Sequence, residues 1–292
     1  MELRTVVAYA GMCAIWGTTW LAIKIGLESL PPITGAGVRF VLAAVFLFAI
    51  GQVLPGPRGA APPWRTIVVL AATLFGGNYA LTYFAETGLA SGLVAVLFGT
   101  LPFFVFGFGA LLLGERVGVM AVAGAAIALA GVAAISIGSD THGSLVYVLA
   151  TLGAAAISAF ANVELKKFAA TDPFRTLPPA MLLAGATMTI AGTAFEHPNW
   201  ARGTSPSSIG AVLYLAVFGS GVAFYLNHWL LQRMETWVVG LSALIVPVLA
   251  VTVGAFLGHE AFGAKELGGA AIVIAGVWLA LRSPRTVVQP QP

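Results

Sequence analysis

What most limits the fold open to this chain is that a stretch of it is written twice. Residues Ser91 to Val132 and Thr236 to Val277, 145 residues further on, align without a gap and share 14 of 42 positions. The shared positions include Pro102/Pro247, Gly109/Gly254, Leu112/Leu257, Glu115/Glu260, Gly118/Gly263, Gly124/Gly269 and Gly131/Gly276. A chain rich in Ala, Gly, Leu and Val matches itself by chance, but chance does not keep a proline, a glutamate and four glycines in register. A fainter match at an offset of 142 places Ala14, Ile15, Lys24 and Pro31 on Ala156, Ile157, Lys166 and Pro173. The chain is two copies of one unit, with expected boundaries at 1–138 and 139–292.

Each unit is built for a bilayer. Apolar residues make up 59% of the chain and charged residues 9%, far from a soluble composition. A helix crossing a hydrocarbon core of about 30 Å needs roughly 20 apolar residues. Ten such segments are predicted, near 5–24, 33–53, 65–85, 90–112, 117–137, 144–165, 176–195, 208–231, 237–257 and 266–282. The expected fold is an all-α membrane protein of ten transmembrane helices, five per unit. Because five is odd, the second unit must enter the membrane from the opposite face, which gives two inverted five-helix repeats.

Charge sets the expected orientation. With the N-terminus inside, ten Lys and Arg residues fall on or near the cytoplasmic side, Lys24, Arg202 and Lys265 fall outside, and Arg39 is buried in the second segment. Both termini are predicted to be cytoplasmic, with the first segment a retained signal anchor. Short loops without an Asn-x-Ser/Thr sequon suit a bacterial inner membrane. The net charge of +3 is a topology signal and does not indicate nucleic acid as a partner. Cys13 is the only cysteine, so no disulfide is expected.

The polar residues inside the spans are the candidates for function. Trp16, Trp20 and Lys24 share a face of the first helix; Trp16 lies too deep for an interfacial belt and is the better cavity residue. Arg39 sits six residues, about 9 Å, below the outer end of the second helix. It reads chiefly as a structural charge paired with Glu86, with substrate contact as the alternative, and its counterpart in the second unit is Met181. The third helix carries Asn78, Tyr79, Tyr83 and Glu86, and the sixth Ser158 and Asn162. On the eighth are Gly219, Ser220, Gly221, Tyr225, Asn227 and His228, and on the ninth Ser242. Polar groups of this kind are costly against lipid, so they face the interior, either in interhelical bonds or around a solute. His228 reads as a hydrogen-bonded structural residue, with a proton shuttle as the less favoured role.

Pro102 and Pro247 stand in the middle of the fourth and ninth segments, where each is a hinge or a static kink. Glu115 and Glu260 precede the fifth and tenth segments and read as structural charges stabilising those helix N-termini. Gly124/Gly131 and Gly269/Gly276 read as close-packing faces, so a monomer is expected, with a homodimer through these faces as the alternative.

An intramembrane enzyme is the rival class, and its parts are missing. There is no His-Glu-x-x-His motif, Asp140 and Asp172 fall in loops, and no histidine is placed to activate Ser242. No Gly-Lys-Ser/Thr phosphate loop is present either. No metal and no cofactor is expected. Aromatic walls with a few amides and hydroxyls suit a small, partly apolar solute, whereas a polyanion would demand more Arg and Lys at midplane.

The paired Pro-x(12)-Glu segments, the Gly-Ala-Ala-Ile-x-x-Ala-Gly-Val runs after them and Arg39-Phe40 resemble the EamA-type members of the drug/metabolite transporter superfamily, over residues 1–282. The Tyr79/Tyr83 pattern resembles the YddG-type exporters of aromatic amino acids within it. The resemblance implies a central cavity lined by the first, third, fourth, sixth, eighth and ninth helices, and export of amino acids or similar small metabolites by alternating access. Multidrug or organic-cation efflux and a channel-like facilitator are the alternatives. Helix-face reasoning puts Trp16, Asn78, Tyr79, Tyr83, Phe98, Asn162, Tyr225, Asn227 and Ser242 around that cavity.

Overall fold

A computed structural model describes residues 2–54, 59–89, 94, 97–136, 145–203, 205–257 and 264–283. Every regular element among them is helical: α1 (Leu3–Leu27), α2 (Pro32–Val53), α3 (Trp64–Glu86), α4 (Leu101–Leu113) and α5 (Val119–Ser136) in the first half. The second half holds α6 (Leu145–Lys167), α7 (Pro173–Glu196), α8 (Pro206–Leu231), α9 (Ser242–Leu257) and α10 (Ala264–Leu281). A single turn, Trp200–Gly203, lies between α7 and α8, and a five-residue helix, Thr236–Gly240, leads into α9.

Six of these helices, α1, α2, α3, α6, α7 and α8, are long and apolar enough to cross a membrane, and the others are shorter apolar helices. The fourth differs most from expectation. Leu97 and Phe98 are helical, Gly99 and Thr100 form a turn, and α4 begins afresh at Leu101. Pro102 is therefore in the first turn of a helix and not in its middle. A proline there has no hydrogen bond to lose and its fixed φ suits a helix start. Pro247 does lie inside its helix, and the ninth segment is interrupted at Leu241, six residues before it.

The helices pair in a pattern that repeats when each is exchanged for the one five places later. Helix α2 packs on α7 and α5 on α10; α1 packs on α9 as α4 does on α6, and α3 packs on α6 as α8 does on α1. The self-paired seams are made by glycine. A Cβ on Gly37 would lie 2.5 Å from the Thr189 backbone nitrogen, and one on Gly276 2.5 Å from that of Ala128, so neither seam closes with a larger residue. Gly124, Gly131 and Gly276 thus meet the partner helix within one chain, which leaves this face unavailable for a second copy.

Carboxylates tie the seams at their ends. Glu196, closing α7, accepts from the Ile33 (2.9 Å) and Thr34 (2.8 Å) amides and from Thr34 Oγ1 (2.8 Å) at the start of α2. Asp172 caps α7 through Phe174 N (2.9 Å) and also accepts from Gly59 N (3.2 Å) in the loop after α2. Glu115 corrects its predicted role. Its Oε1 accepts from Thr236 N (3.0 Å) and Thr236 Oγ1 (2.9 Å), so it caps the helix leading into α9, in the other half, and not the N-terminus of α5. Gly114 takes φ +68°, in the left-handed region, and turns the chain from α4 straight into Glu115. A Cβ on Gly109 would lie 3.0 Å from Glu115 Oε2, which explains why the repeat keeps this glycine and this glutamate together. Glu260, its counterpart, lies outside the described residues.

Candidate functional site

A cavity of about 120 Å³, part of it open, lies between α1, α2, α3, α4, α6, α8 and α9. Of the residues predicted to line it, Trp16, Asn78, Tyr79, Phe98, Asn162, Asn227 and Ser242 are on its wall. Tyr83 is buried beside Tyr79, with ring centroids 6.4 Å apart, and is not on the wall. Tyr225 faces away from it and packs on Phe174 at 5.1 Å. Residues not predicted for the wall also reach it: Arg39, Trp20, Thr82, Ser158, Phe224 and Pro247. His228 is buried near the C-terminal end of α8, its Nε2 3.3 Å from the Ala169 carbonyl, and is not on the wall.

Two stretches of π-helix, one per half, position this wall. They run Ala71–Gly77 in α3 and Leu215–Val222 in α8, with starts 144 residues apart (215 − 71). A π turn is wider than an α turn and tilts carbonyls out of the helix, and such turns recur at functional sites. Here the Gly219 carbonyl is aimed at α1 and α2, where it accepts from Trp16 Nε1 and from Arg39 Nη2, both at 3.3 Å. A Cβ on Gly219 would stand 2.7 Å from Thr19 Cγ2 and 3.3 Å from Arg39 Nη2, so glycine leaves the room the guanidinium occupies. The sequence clue is the pair of glycine clusters, Gly76-Gly77 and Gly219-Ser220-Gly221.

Trp16, Tyr79 and Phe224 bring rings to the cavity wall, and the buried Phe40 and Phe75 back them edge to face. Trp16 meets Phe224 at 5.6 Å, Phe224 meets Phe75 at 5.0 Å, and Phe40 meets Tyr79 at 4.8 Å. Amides make up another part of the wall: Asn227 Nδ2 donates to Asn162 Oδ1 (2.9 Å), and Asn162 Nδ2 donates to the Ser158 carbonyl (2.8 Å). Asn78 Nδ2 donates to the Leu74 carbonyl (3.3 Å), and Thr82 Oγ1 to the Asn78 carbonyl (2.8 Å).

Arg39 does not make the ion pair with Glu86 that the sequence led us to expect. Its side chain is 1% exposed, Nε donates to Ser220 Oγ (2.7 Å), and its charge lies over the Tyr79 ring, 4.9 Å from the centroid. The register of α2 and the Gly219 seat send the guanidinium across to α8, whereas Glu86 sits at the far end of α3, where the nearby charge is that of Lys24. Glu86 Oε1 is buried without a hydrogen-bond partner.

The two ends of the cavity differ. At the end shared with the chain termini, Lys166 Nζ donates to the carbonyls of Leu231 and Met234 (2.8 Å to the latter), and Glu115 holds Thr236. Both charges clamp the α8–α9 connection beneath Val239 and Gly240 of the wall. Toward the other end the wall continues to Trp20 and Ile23, within about a turn of the end of α1, where Lys24 is exposed. Among the described residues no group of three or more His, Cys, Asp or Glu is arranged to hold a metal.

Apolar helices, six of them long enough to cross a membrane, around a partly open cavity with aromatic and amide walls have the make-up of a membrane protein. The chain belongs to the EamA-like transporter family, whose profile matches residues 3–137 and again 145–282. It is 30% identical to protein PagO of Salmonella typhimurium, over 91% of this chain and 89% of that one. It is 31% identical to the uncharacterized inner membrane transporter YedA of Escherichia coli K12 (91% and 86%) and 27% identical to a "Probable amino-acid metabolite efflux pump" of Salmonella typhimurium (91% and 90%). A solved crystal structure shares the fold with a TM-score of 0.81 at 23% identity, over 96% of this chain and 97% of that one.

Proposed function

We propose that the chain is a secondary transporter of the bacterial inner membrane that exports amino acids, aromatic or neutral ones first, and similar small metabolites. In this reading ten spans form two inverted halves, 1–138 and 139–292, with both termini in the cytoplasm. The exchange symmetry of the helix contacts supports inverted halves. The relative named as an amino-acid metabolite efflux pump supports the substrate class.

The observation that carries the reading is a cavity built jointly by both halves and clamped at the end where α8 meets α9. Lys166 and Lys24 occupy equivalent positions in the repeat, yet one is bonded across the bundle and the other is exposed. Equivalent parts in unequal states are what alternating access requires: opening one end and closing the other exchanges their environments. The breaks at Gly99–Thr100 and Leu241, with Pro102 and Pro247 near them, supply the hinges. A ring stacks on Trp16, Tyr79 and Phe224, while polar substituents bond to Asn162, Asn227 and Ser242.

Reconstitution into vesicles tests this. Phenylalanine loaded on one side is expected to drive saturable counterflow of labelled phenylalanine from the other. Flux that never saturates and is not stimulated by solute on the trans side would replace the transporter reading with a channel.

A further inference from the structure

Arg39 has a chemical need that the protein leaves unmet. Nε and Nη2 are bonded to Ser220 Oγ and the Gly219 carbonyl, but Nη1 is buried and makes no hydrogen bond. Both bonded acceptors are neutral, so the charge is spread over a hydroxyl, a carbonyl and two ring faces, and among the described residues no carboxylate pairs with it. A guanidinium presents a planar fork suited to a carboxylate, and a cation buried without a counter-charge is costly.

Scaffold demands do not explain the charge. At the equivalent place in the second half stands Met181, fully buried, and the same helix pair closes around it. The α2–α7 seam therefore tolerates an apolar side chain there, and the half that carries arginine does so with its charge on the cavity wall. Beside the guanidinium lie the phenol groups of Tyr79 and Tyr83, close enough for their oxygens to accept from it; each O–H stays able to donate to the second oxygen of an anion held by Nη1.

We propose that Arg39 is the anion-binding group of the cavity and that the solute carries a carboxylate. The rest of the solute extends past Tyr79 toward the Asn162–Asn227 amides, where an ammonium finds acceptors. The wall then selects zwitterions and monoanions with an apolar body over amines of the same shape, and organic-cation efflux is disfavoured. This rests on the reading of the cavity as the transport site, and a matched pair of competitors separates the two.

The experiment uses the full-length protein in vesicles, with phenylalanine counterflow competed by 3-phenylpropionate and by 2-phenylethylamine. These probes carry the same ring and keep the acid or the amine alone. In the unaltered protein the acid is expected to compete at about a tenfold or greater lower concentration than the amine, the discrimination of one charge-assisted pair. Arg39→Met is expected to abolish that preference, and Arg39→Lys to keep part of it. Equal competition by acid and amine in the unaltered protein, or an unchanged preference in Arg39→Met, overturns the proposal. The comparison in the unaltered protein stands even if Arg39→Met fails to fold. If no phenylalanine flux is seen, thermal stabilisation of the purified protein by the two probes decides. Stabilisation by the acid alone supports the anion site while the amino-acid export reading falls, and stabilisation by neither, or equally by both, overturns the anion site as well.

Discussion

Removing the Glu115 carboxylate should change which side of the membrane the cavity faces. Glu115 is 6% exposed and supplies the acceptor for both the amide and the hydroxyl of Thr236. Hydrogen bonds to a charged group contribute about 1.5–3 kcal/mol each, and part of that is recovered when water reaches the vacated site. The net loss for Glu115→Ala is then about 2–4 kcal/mol, borne by the clamped state alone because the bonds cross from one half to the other. At about 1.4 kcal/mol per tenfold, the balance between the two states moves by roughly 30- to 700-fold toward opening at the end carrying the termini. The assay places a cysteine at Ala243, on the cavity wall, in a background where the buried Cys13 is alanine. Labelling with a membrane-impermeant maleimide is then measured from each side of sealed vesicles. The starting protein is expected to react from the outer side and the Glu115→Ala variant from the cytoplasmic side. Unchanged sidedness with a lowered melting temperature would refute the argument, because the carboxylate would then be stabilising both states alike.

Gly276→Val should remove most folded protein: its Cβ alone would lie 2.5 Å from the Ala128 nitrogen and 2.6 Å from the Gly124 carbonyl, backbone atoms that cannot move aside. A loss of monodisperse protein after detergent extraction is the measurement. Asn162→Leu leaves Asn227 Nδ2 without its acceptor inside the cavity, at a cost of about 1–3 kcal/mol. Counterflow affinity is expected to fall by tenfold or more, with melting shifted by only a few degrees.

Much of this architecture is written in residue types and spacing. The doubled segment announces two like halves, and the Gly124/Gly131 and Gly269/Gly276 faces announce a close seam, because a helix rich in small residues has few other uses for them in a membrane. What fails is reasoning that stays within one helix. Glu115 lies a few residues before α5, so a dipole argument assigns it there, yet its partner Thr236 is 121 residues away. Stripes drawn at α-helical spacing put Tyr83 and Tyr225 on the cavity, but Tyr83 packs beside Tyr79 and Tyr225 against Phe174 of α7. In α3 the wall is carried by Leu74, Asn78, Tyr79 and Thr82, and in α8 by Phe224 and Asn227. A shared position toward the outer ends of the second and third segments pairs Arg39 with Glu86, although the acceptors that hold it are the hydroxyl and carbonyl of a glycine-rich turn in the other half.

The α2–α7 pair is fastened twice, by Glu196 at one extremity and by Asp172 with Gly59 at the other, along a seam where backbone meets backbone. Helices joined so tightly cannot slide or splay while their neighbours tilt. In the proposed alternating-access cycle they would form the axle, and spectroscopic labels attached to both are expected to report a constant separation, a yardstick against which every other displacement in the molecule can be gauged.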